Sequence, residues 1–502
     1  MYGALKFIHC FSHILVSMQT QDRDTQRDQF AQGKPLWARA IATPATEFGP
    51  TALPLLSGQI PEGLQGTLYR NGPGRLSRQG QTVDHWFDGD GGILAVHVDD
   101  GGATACYRYV QTQELQAEEA KDQFLYSGYG QMAPGPVWKR WGVPPKNVAN
   151  TSVLALPDKL LALWEGGNPH ALDPVTLETQ GLDPLSGLTP KLTYSAHPKR
   201  DPHTGNIYNF GVIFGPKTYI QIYCSHASGD IYRQASIPLP GLSMVHDFVL
   251  AGRYLIFIVP PLRLQMLPIL LGTKSLSDAL QWQPHQGTQI IVIDRDTFKE
   301  VTRIDTDPWF QWHFSNGHED AAGNIVVDYV RYDDFQTNQW LKEVVTGYPQ
   351  APATGKLWQL QINPQSGQVL HNEPLFNFGC EFPVISSLET GQKTTAIYLN
   401  HHSHTQRPVE EMFDCIARID GKTSAVTSMA FPSGCYPMEA IYAPDPNTFD
   451  QGWLLTVVFD GNQDQSTVQI FSANQLDAGP IAVLGLPEII PFGFHGAWQA
   501  RA

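Results

Sequence analysis

The chain has 502 residues, 42% of them hydrophobic and 16% charged, a balance that excludes a disordered, coiled-coil or collagen-like chain. A formal charge of -15 without a run of Lys or Arg lacks the clustered cations that nucleic-acid binding needs, so an apolar small molecule is the expected partner and no protein partner is indicated. Six cysteines spread along the chain without a C-x-x-C pair give neither a disulfide framework nor a zinc ribbon, which fits a reducing cytoplasm.

At the N-terminus, residues 6–18 are apolar but interrupted by His9 and His13, no clean small-residue cleavage site follows, and the polar run QTQDRDTQRDQF comes next. Residues 1–35 are therefore expected to be a flexible extension and residues 36–502 a single domain. From Gly66 onward, short β-rich runs alternate with Gly, Pro, Asp and Asn: 67–70, 93–98, 160–164, 207–214, 254–259, 289–293, 324–329, 357–362, 395–399, 453–459 and 468–472. This spacing predicts an all-β sandwich or propeller. Hairpins such as VIDRDTFKEVTRI and LQINPQSGQVLHNE, each reversing at a polar turn, favour the propeller, although no WD or kelch repeat lets its blades be counted.

Within this rhythm, FDGDGG at residues 87–92 has the composition of an ion loop but lacks both the distal Glu of an EF-hand and the Lys of a P-loop, so a tight β-turn is expected. Two segments break the strand pattern. PVWKRWGVPP (136–145) flanks Lys139 and Arg140 with Trp138 and Trp141, and PPLRLQMLPILLGTKSL (260–276) is apolar but Pro-broken and too short to cross a bilayer. Each reads equally as a buried cap or as a lipid-surface contact.

There are 17 histidines. His9, His13, His97, His170, His203, His226, His285 and His371 lie in polar or turn contexts and are expected at the surface; His401, His402 and His404 in LNHHSH follow a strand and are read the same way. Four others sit beside β-rich or aromatic runs: His197 in YSAHP, His246 in MVHDF, His313 in FQWHFSNGHE and His495 in PFGFHGAW. Any one alone reads as a core histidine. A propeller, however, brings distant residues to one axis, where neutral imidazoles suit iron, copper, zinc or nickel. Imidazole ligands need their second ring nitrogen fixed by an acceptor, and three carboxylates in apolar stretches answer that need: Glu165 in LLALWEGGNP, Glu381 in FGCEFPVI and Glu439 in YPMEAIYAP. On these residues alone, a zinc or copper hydrolase and a non-catalytic binding platform stay open beside an oxygenase.

Ten motifs in order, GTLYRNGPG, HWFDGDGG, NVANTSV, LLALWEGGNPHALDP, SAHP, VHDF, WHFSNGHE, EFPV, EAIYAP and FGFHGAW, make the chain after about residue 50 resemble the carotenoid cleavage oxygenases, bacterial apocarotenoid 15,15'-oxygenases in particular. The resemblance implies a seven-bladed β-propeller with a cap of loops and short helices over an axial Fe(II), one per chain, held by His197, His246, His313 and His495. It implies that Glu165, Glu381 and Glu439 orient these ligands and that the Thr151 methyl obstructs one iron position, leaving another for O2. The reaction implied is insertion of O2 across a C=C bond of an apocarotenoid polyene, giving two carbonyl products such as retinal. Phe87, Trp164, Met244 and Tyr332 are the candidate walls of the substrate tunnel, and 260–276 is the candidate peripheral membrane contact. Three departures are visible: Met244 and His318 stand where the family carries aromatics, and YVQTQEL places Gln111 and Leu115 where many members have Arg and Tyr. If that Tyr recognises a phenol, Leu115 argues against a stilbene substrate.

Overall fold

The computed structural model describes residues 21–215, 217–403, 409–448 and 451–501; the apolar segment 6–18, with His9 and His13, and His404 fall outside them. Every β-rich run anticipated from sequence lies on a strand to within one residue at its ends. Tyr254–Val259 shows why the pattern was readable: all six residues are buried, a continuous apolar run typical of a strand covered on both faces. Leu255, Phe257 and Val259 pack with Phe210, Ile220, Ile222 and Phe248 on one side. Tyr254, Ile256 and Ile258 pack with Trp309, Phe314 and Tyr329 on the other. The period-2 alternation of a strand thus joins two different neighbours into successive cores.

The strands form an all-β propeller of antiparallel sheets. Phe48–Ala52, Gly102–Tyr109, Asp90–Asp99, Gly66–Arg75 and Gly496–Ala500 make one five-stranded sheet in that spatial order. Four-stranded sheets follow over Ser152–Leu182, Lys199–Pro238 and Cys380–Ala430. Between the last two lies an eight-stranded sheet made of two four-stranded meanders, Val249–Thr306 and Phe310–Pro374, that meet at a single parallel bridge, Ala251 to Gly317. The final sheet, over Cys435–Gly485, takes Leu55–Gly58 as an edge strand against Pro480–Gly485. The first sheet in turn takes the C-terminal strand, Arg70 opposite Gly496. The two ends of the chain are therefore exchanged between the first and last sheets, which closes the ring by backbone hydrogen bonds.

Several local expectations are revised. Residues 21–31, within the expected extension, are helical, and Phe30 packs against the core. The FDGDGG run is not a simple turn: Trp86–Asp88 is a single 3-10 turn and Asp90–Asp99 a strand. Its acids are used internally. The Asp88 carboxylate accepts the backbone N–H groups of Tyr129, Gly130 and Gln131 at 2.6–3.2 Å, and a Cβ at Gly91 would fall 2.3 Å from the Ala149 carbonyl oxygen. Leu115 lies in the helix Gln113–Lys121, whose first turn is capped by the Thr112 hydroxyl. There it packs in the core with Trp86 and Val83. It is not among the residues that line the cavity described below.

Among the histidines expected at the surface, His203, His226, His285 and His371 are exposed, whereas His97 is half-buried and His170 is buried. His401 is buried as well: its Nδ1 donates to the His402 carbonyl and its Nε2 takes the Ser428 hydroxyl at 3.0 Å. Alternation along Ala396–His401 cannot reveal this, because both faces of that strand are covered. Of the two segments that broke the strand pattern, 136–145 is largely exposed, whereas 260–276 is mixed: Leu262 and Leu264 are buried and its middle turns outward. Leu267 and Leu270 are 68% and 65% exposed, and Trp138 and Trp141 64% and 55%. They form one patch, since the Trp141 indole donates to the Leu271 carbonyl at 3.1 Å and Arg140 to that of Gly272 at 2.8 Å. Among the described residues no helix is long and apolar enough to cross a membrane.

One buried charge cluster ties the first sheet to the loop before the second. Lys146 meets Glu118 at 2.7 Å and also contacts Asp90, with all three side chains almost fully buried. Burial opposes its charge, but the two carboxylates prevail and hold the ammonium pKa above its ordinary value. Removing the ammonium strands the buried Glu118 carboxylate and leaves Asp90 only the Arg78 guanidinium, 3.6 Å away. Lys146→Met is expected to cost about 3–5 kcal/mol, read as a lower denaturant midpoint at unchanged slope; a loss under about 0.5 kcal/mol would show that the cluster contributes no net attraction.

Candidate metal centre

Each of the four histidines sits where a strand begins or runs near the axis. His313 is inside Phe310–Glu319, His495 immediately precedes Gly496–Ala500, His246 lies just before Val249–Ala251 and His197 just before Lys199–Arg200. The structure brings all four together although they are separated by up to 298 positions in the sequence. His197 Nε2 is 3.0 Å from His246 Nε2, and His246 Nε2 is 3.3 Å from His313 Nε2. The His495 ring lies 4.8 Å from that of His197 and 4.7 Å from that of His313, centroid to centroid. His197, His313 and His495 have nitrogens within 4.8 Å of one another, and so do the Glu165 carboxylate and the rings of His197 and His246.

The opposite ring nitrogens face carboxylates. His313 Nδ1 donates to Glu381 Oε2 at 2.6 Å and His495 Nδ1 to Glu439 Oε1 at 2.9 Å, while the Glu165 carboxylate meets His246 Nδ1. A neutral imidazole that donates through Nδ1 offers a lone pair at Nε2. Lone pairs 3.0–3.3 Å apart repel unless a cation or a shared proton lies among them. At His313 burial lowers the pKa, but the Glu381 charge and hydrogen bond more than offset this and leave it above the ordinary value. His197, buried and surrounded by the other three rings, is pushed well below the ordinary value. His495 is lowered by burial, only partly restored by Glu439. Burial alone would raise Glu381 and Glu439, yet their imidazole partners, with Arg70 beside Glu439, hold both below the usual carboxylate range. The donor set fits a divalent metal that accepts nitrogen ligands, with carboxylates fixing the ring orientations.

The three glutamates are placed by different means. Glu165 follows the strand Leu160–Leu163 and remains partly exposed. Glu439 lies between the strands Cys435–Pro437 and Ile441–Pro444. Glu381, on Cys380–Val384, receives three donors: His313, the Tyr332 hydroxyl at 3.0 Å and the Phe382 N–H at 2.6 Å. The last of these accompanies an unusual backbone. Phe382 has φ of 55°, a left-handed conformation that costs a bulky residue about 1–3 kcal/mol. It sets the Phe382 ring near His313 and His495, with centroids 5.8 and 5.7 Å apart.

Beside this cluster opens a cavity of about 460 Å³, within the range of small-molecule sites. All four wall residues anticipated from sequence, Phe87, Trp164, Met244 and Tyr332, line it, and so does Thr151, whose hydroxyl lies 3.2 Å from Asn150 Oδ1. Tyr332 does more than line the wall, since it also donates to Glu381. Sequence reading missed Trp312, Phe382, Phe494 and Tyr129, which line the same space. Trp312 and Phe494 immediately precede His313 and His495, and the Phe87 ring packs against both at 5.7 and 5.3 Å. Their adjacency to two candidate ligands was the available signal. Also missed was Asn150, which donates to the Phe87 and Gly89 carbonyls and so fixes that wall. His402 lines the cavity, but neither it nor His401 joins a metal-binding group among the described residues.

The model of the RPE65 (retinal pigment epithelial membrane protein) family matches residues 41–500. The apocarotenoid-15,15'-oxygenase of a Synechocystis species is 31% identical over 459 residues, 88% of this chain and 92% of the relative. A resveratrol cleavage oxygenase of Aspergillus fumigatus is 27% identical over 88% of this chain and 91% of its own length. The solved structure of a cobalt-substituted Synechocystis apocarotenoid oxygenase superimposes with a TM-score of 0.84 at 29% identity, covering 93% of this chain and 98% of that one. Fold, motif order and full-length similarity agree: the chain belongs to the RPE65/carotenoid oxygenase family, a family of carotenoid cleavage dioxygenases.

Proposed function

We propose that this enzyme uses one Fe(II), held by His197, His246, His313 and His495, to cleave the 15,15' double bond of an apocarotenoid with O2, giving two carbonyl products such as retinal. The observation that carries the reading is the convergence of four imidazoles, His197 and His246 buried and His313 and His495 half-buried, three of them backed by carboxylates, at the side of an aromatic-lined cavity. The similarity to the Synechocystis apocarotenoid-15,15'-oxygenase supports the choice of substrate and bond. In this reading residues 36–502 are a single domain of seven blades, with the eight-stranded sheet counted as two, under a cap that includes the helix Gln336–Val344, whose Thr337, Trp340 and Leu341 reach the cavity.

When bound, Fe(II) supplies a position at which O2 is activated next to the polyene. The chain's own groups do the rest. Glu165, Glu381 and Glu439 hold protons on the Nδ1 atoms, so that the Nε2 lone pairs stay turned inward. Phe87, Trp164, Met244 and Tyr332 exclude water and confine a flat conjugated chain. Thr151, on the cavity wall, would narrow the approach of O2 to a bound ion.

The substrate reaches a cytoplasmic enzyme from lipid. The exposed patch of Trp138, Trp141, Leu267, Leu270 and Leu271 supports a peripheral membrane contact through residues 260–276, widened by the two tryptophans. Full burial of one Leu is worth about 1.5–3 kcal/mol, so Leu267→Ser with Leu270→Ser should weaken vesicle binding at least about tenfold in sedimentation assays. Binding equal to that of the parent would remove the patch as the contact.

The function is tested by anaerobic reconstitution with Fe(II), followed by an apocarotenal and O2 in detergent, with products resolved by mass. Two aldehydes from 15,15' scission are expected, and other product masses would reassign the bond or the substrate. His313→Ala should lose both iron and turnover while keeping a β-type circular dichroism spectrum, and Glu381→Gln should weaken iron binding or rate without unfolding. Turnover by His313→Ala would refute the ligand assignment.

A further inference from the structure

The motif GTLYRNGPG is explained only in part by strand pairing. Its Arg70 is 2% exposed and carries its charge into the interior beside the candidate metal centre. Nη1 donates to Glu439 Oε2 at 3.1 Å and to the Glu439 carbonyl at 2.8 Å, while Nε and Nη2 have no protein acceptor. The side chain is packed against the glycines on either side of His495: a Cβ at Gly496 would stand 2.8 Å from Arg70 Cδ, and one at Gly493 would stand 3.5 Å from Nη2. Glu439 then spends Oε1 on His495 Nδ1 and Oε2 on the Gly496 N–H, both at 2.9 Å. The neighbouring Asn71 exchanges backbone hydrogen bonds with this same segment, its N–H to the His495 carbonyl and its carbonyl to the Phe494 N–H.

The other two glutamates differ. Glu381 is supported by a neutral phenol, and Glu165 is partly open to solvent. Among the described residues Glu439 alone of the three pairs with a Lys or Arg. Lys199 and Asp247, the nearby charges next to His197 and His246, pair with each other at 2.9 Å and cancel. Three carboxylates and one guanidinium leave two negative charges, which a divalent ion closes to zero. We propose that Arg70 is a positioning residue of the metal centre, which fixes Glu439 on His495 and sets the charge balance that favours a divalent over a trivalent ion. The inference rests on the iron reading above and adds to it a determinant of the ion's oxidation state.

The test uses the full chain loaded anaerobically with Fe(II). Iron per chain is measured first, then the ferric/ferrous midpoint by spectroelectrochemistry in the parent, Arg70→Met and Arg70→Lys. Loss of the buried cation should shift the equilibrium toward the ferric ion by about tenfold, which is about 59 mV for one electron, and Arg70→Lys should restore most of it. An iron-loaded Arg70→Met with the parent's potential would overturn the inference and leave the iron reading standing. A parent chain without iron would overturn both. If Arg70→Met does not fold, Glu439→Gln serves: it leaves the guanidinium uncompensated and should move the potential in the opposite direction, and an unmoved potential there would equally overturn the assignment.

Discussion

Four imidazoles with their Nε2 lone pairs turned toward one another cannot rest there without a positive charge among them, and the architecture around the axis can be understood as the means of holding them in that arrangement. The nitrogens lie closer than mutual repulsion would choose, 3.0 Å between His197 and His246. What prevents three of the rings from flipping is a carboxylate on the far side: Glu381 and Glu439 accept hydrogen bonds from His313 and His495, and Glu165 contacts His246. Glu381 and Glu439 are buried at a cost that protonation would relieve. The imidazoles, the Arg70 guanidinium and the Tyr332 hydroxyl keep them charged. The strained Phe382 backbone belongs to the same set of constraints, since its N–H is one of the donors to Glu381.

A propeller suits this problem because its rigidity comes from outside the site. Each sheet is packed on both faces, as along Tyr254–Val259, and the ring is closed at both ends by exchanged strands. Polar groups at the axis therefore do not have to provide stability, and strain there can be sustained. The closure also bears directly on the site: the strand Gly496–Ala500, which seals the first sheet, begins one residue after His495, and its partner strand supplies Arg70. Ring closure and metal-site geometry are thus one structural event at this point.

The legibility of these features in the sequence follows the range of the interactions behind them. Strands were legible because their apolar runs and polar turns are local, and the orienting glutamates because a carboxylate within an apolar run such as YPMEAIYAP is conspicuous. The four histidines stood out by their β-rich or aromatic contexts, but their reading as one iron's ligands came from the ordered motifs, since no periodicity links positions so far apart. Features that depend on tertiary placement were hidden. The burial of His401 comes from a neighbouring strand, Leu115 is directed into the core by a helix that its short polar context does not announce, and the contact of Arg70 with Glu439 spans 369 positions. The exposure of Leu267 and Trp138 was likewise undecidable, because an apolar segment reads the same whether protein or lipid covers it.

The central claim is that one iron is held by these four imidazoles. X-ray absorption at the iron edge, on the anaerobically loaded chain without substrate, tests it most directly. The account predicts one iron per chain with four imidazole nitrogens and no sulfur among its scatterers. A thiolate ligand, or a nitrogen count and multiple-scattering pattern that require fewer than four imidazoles, would contradict it.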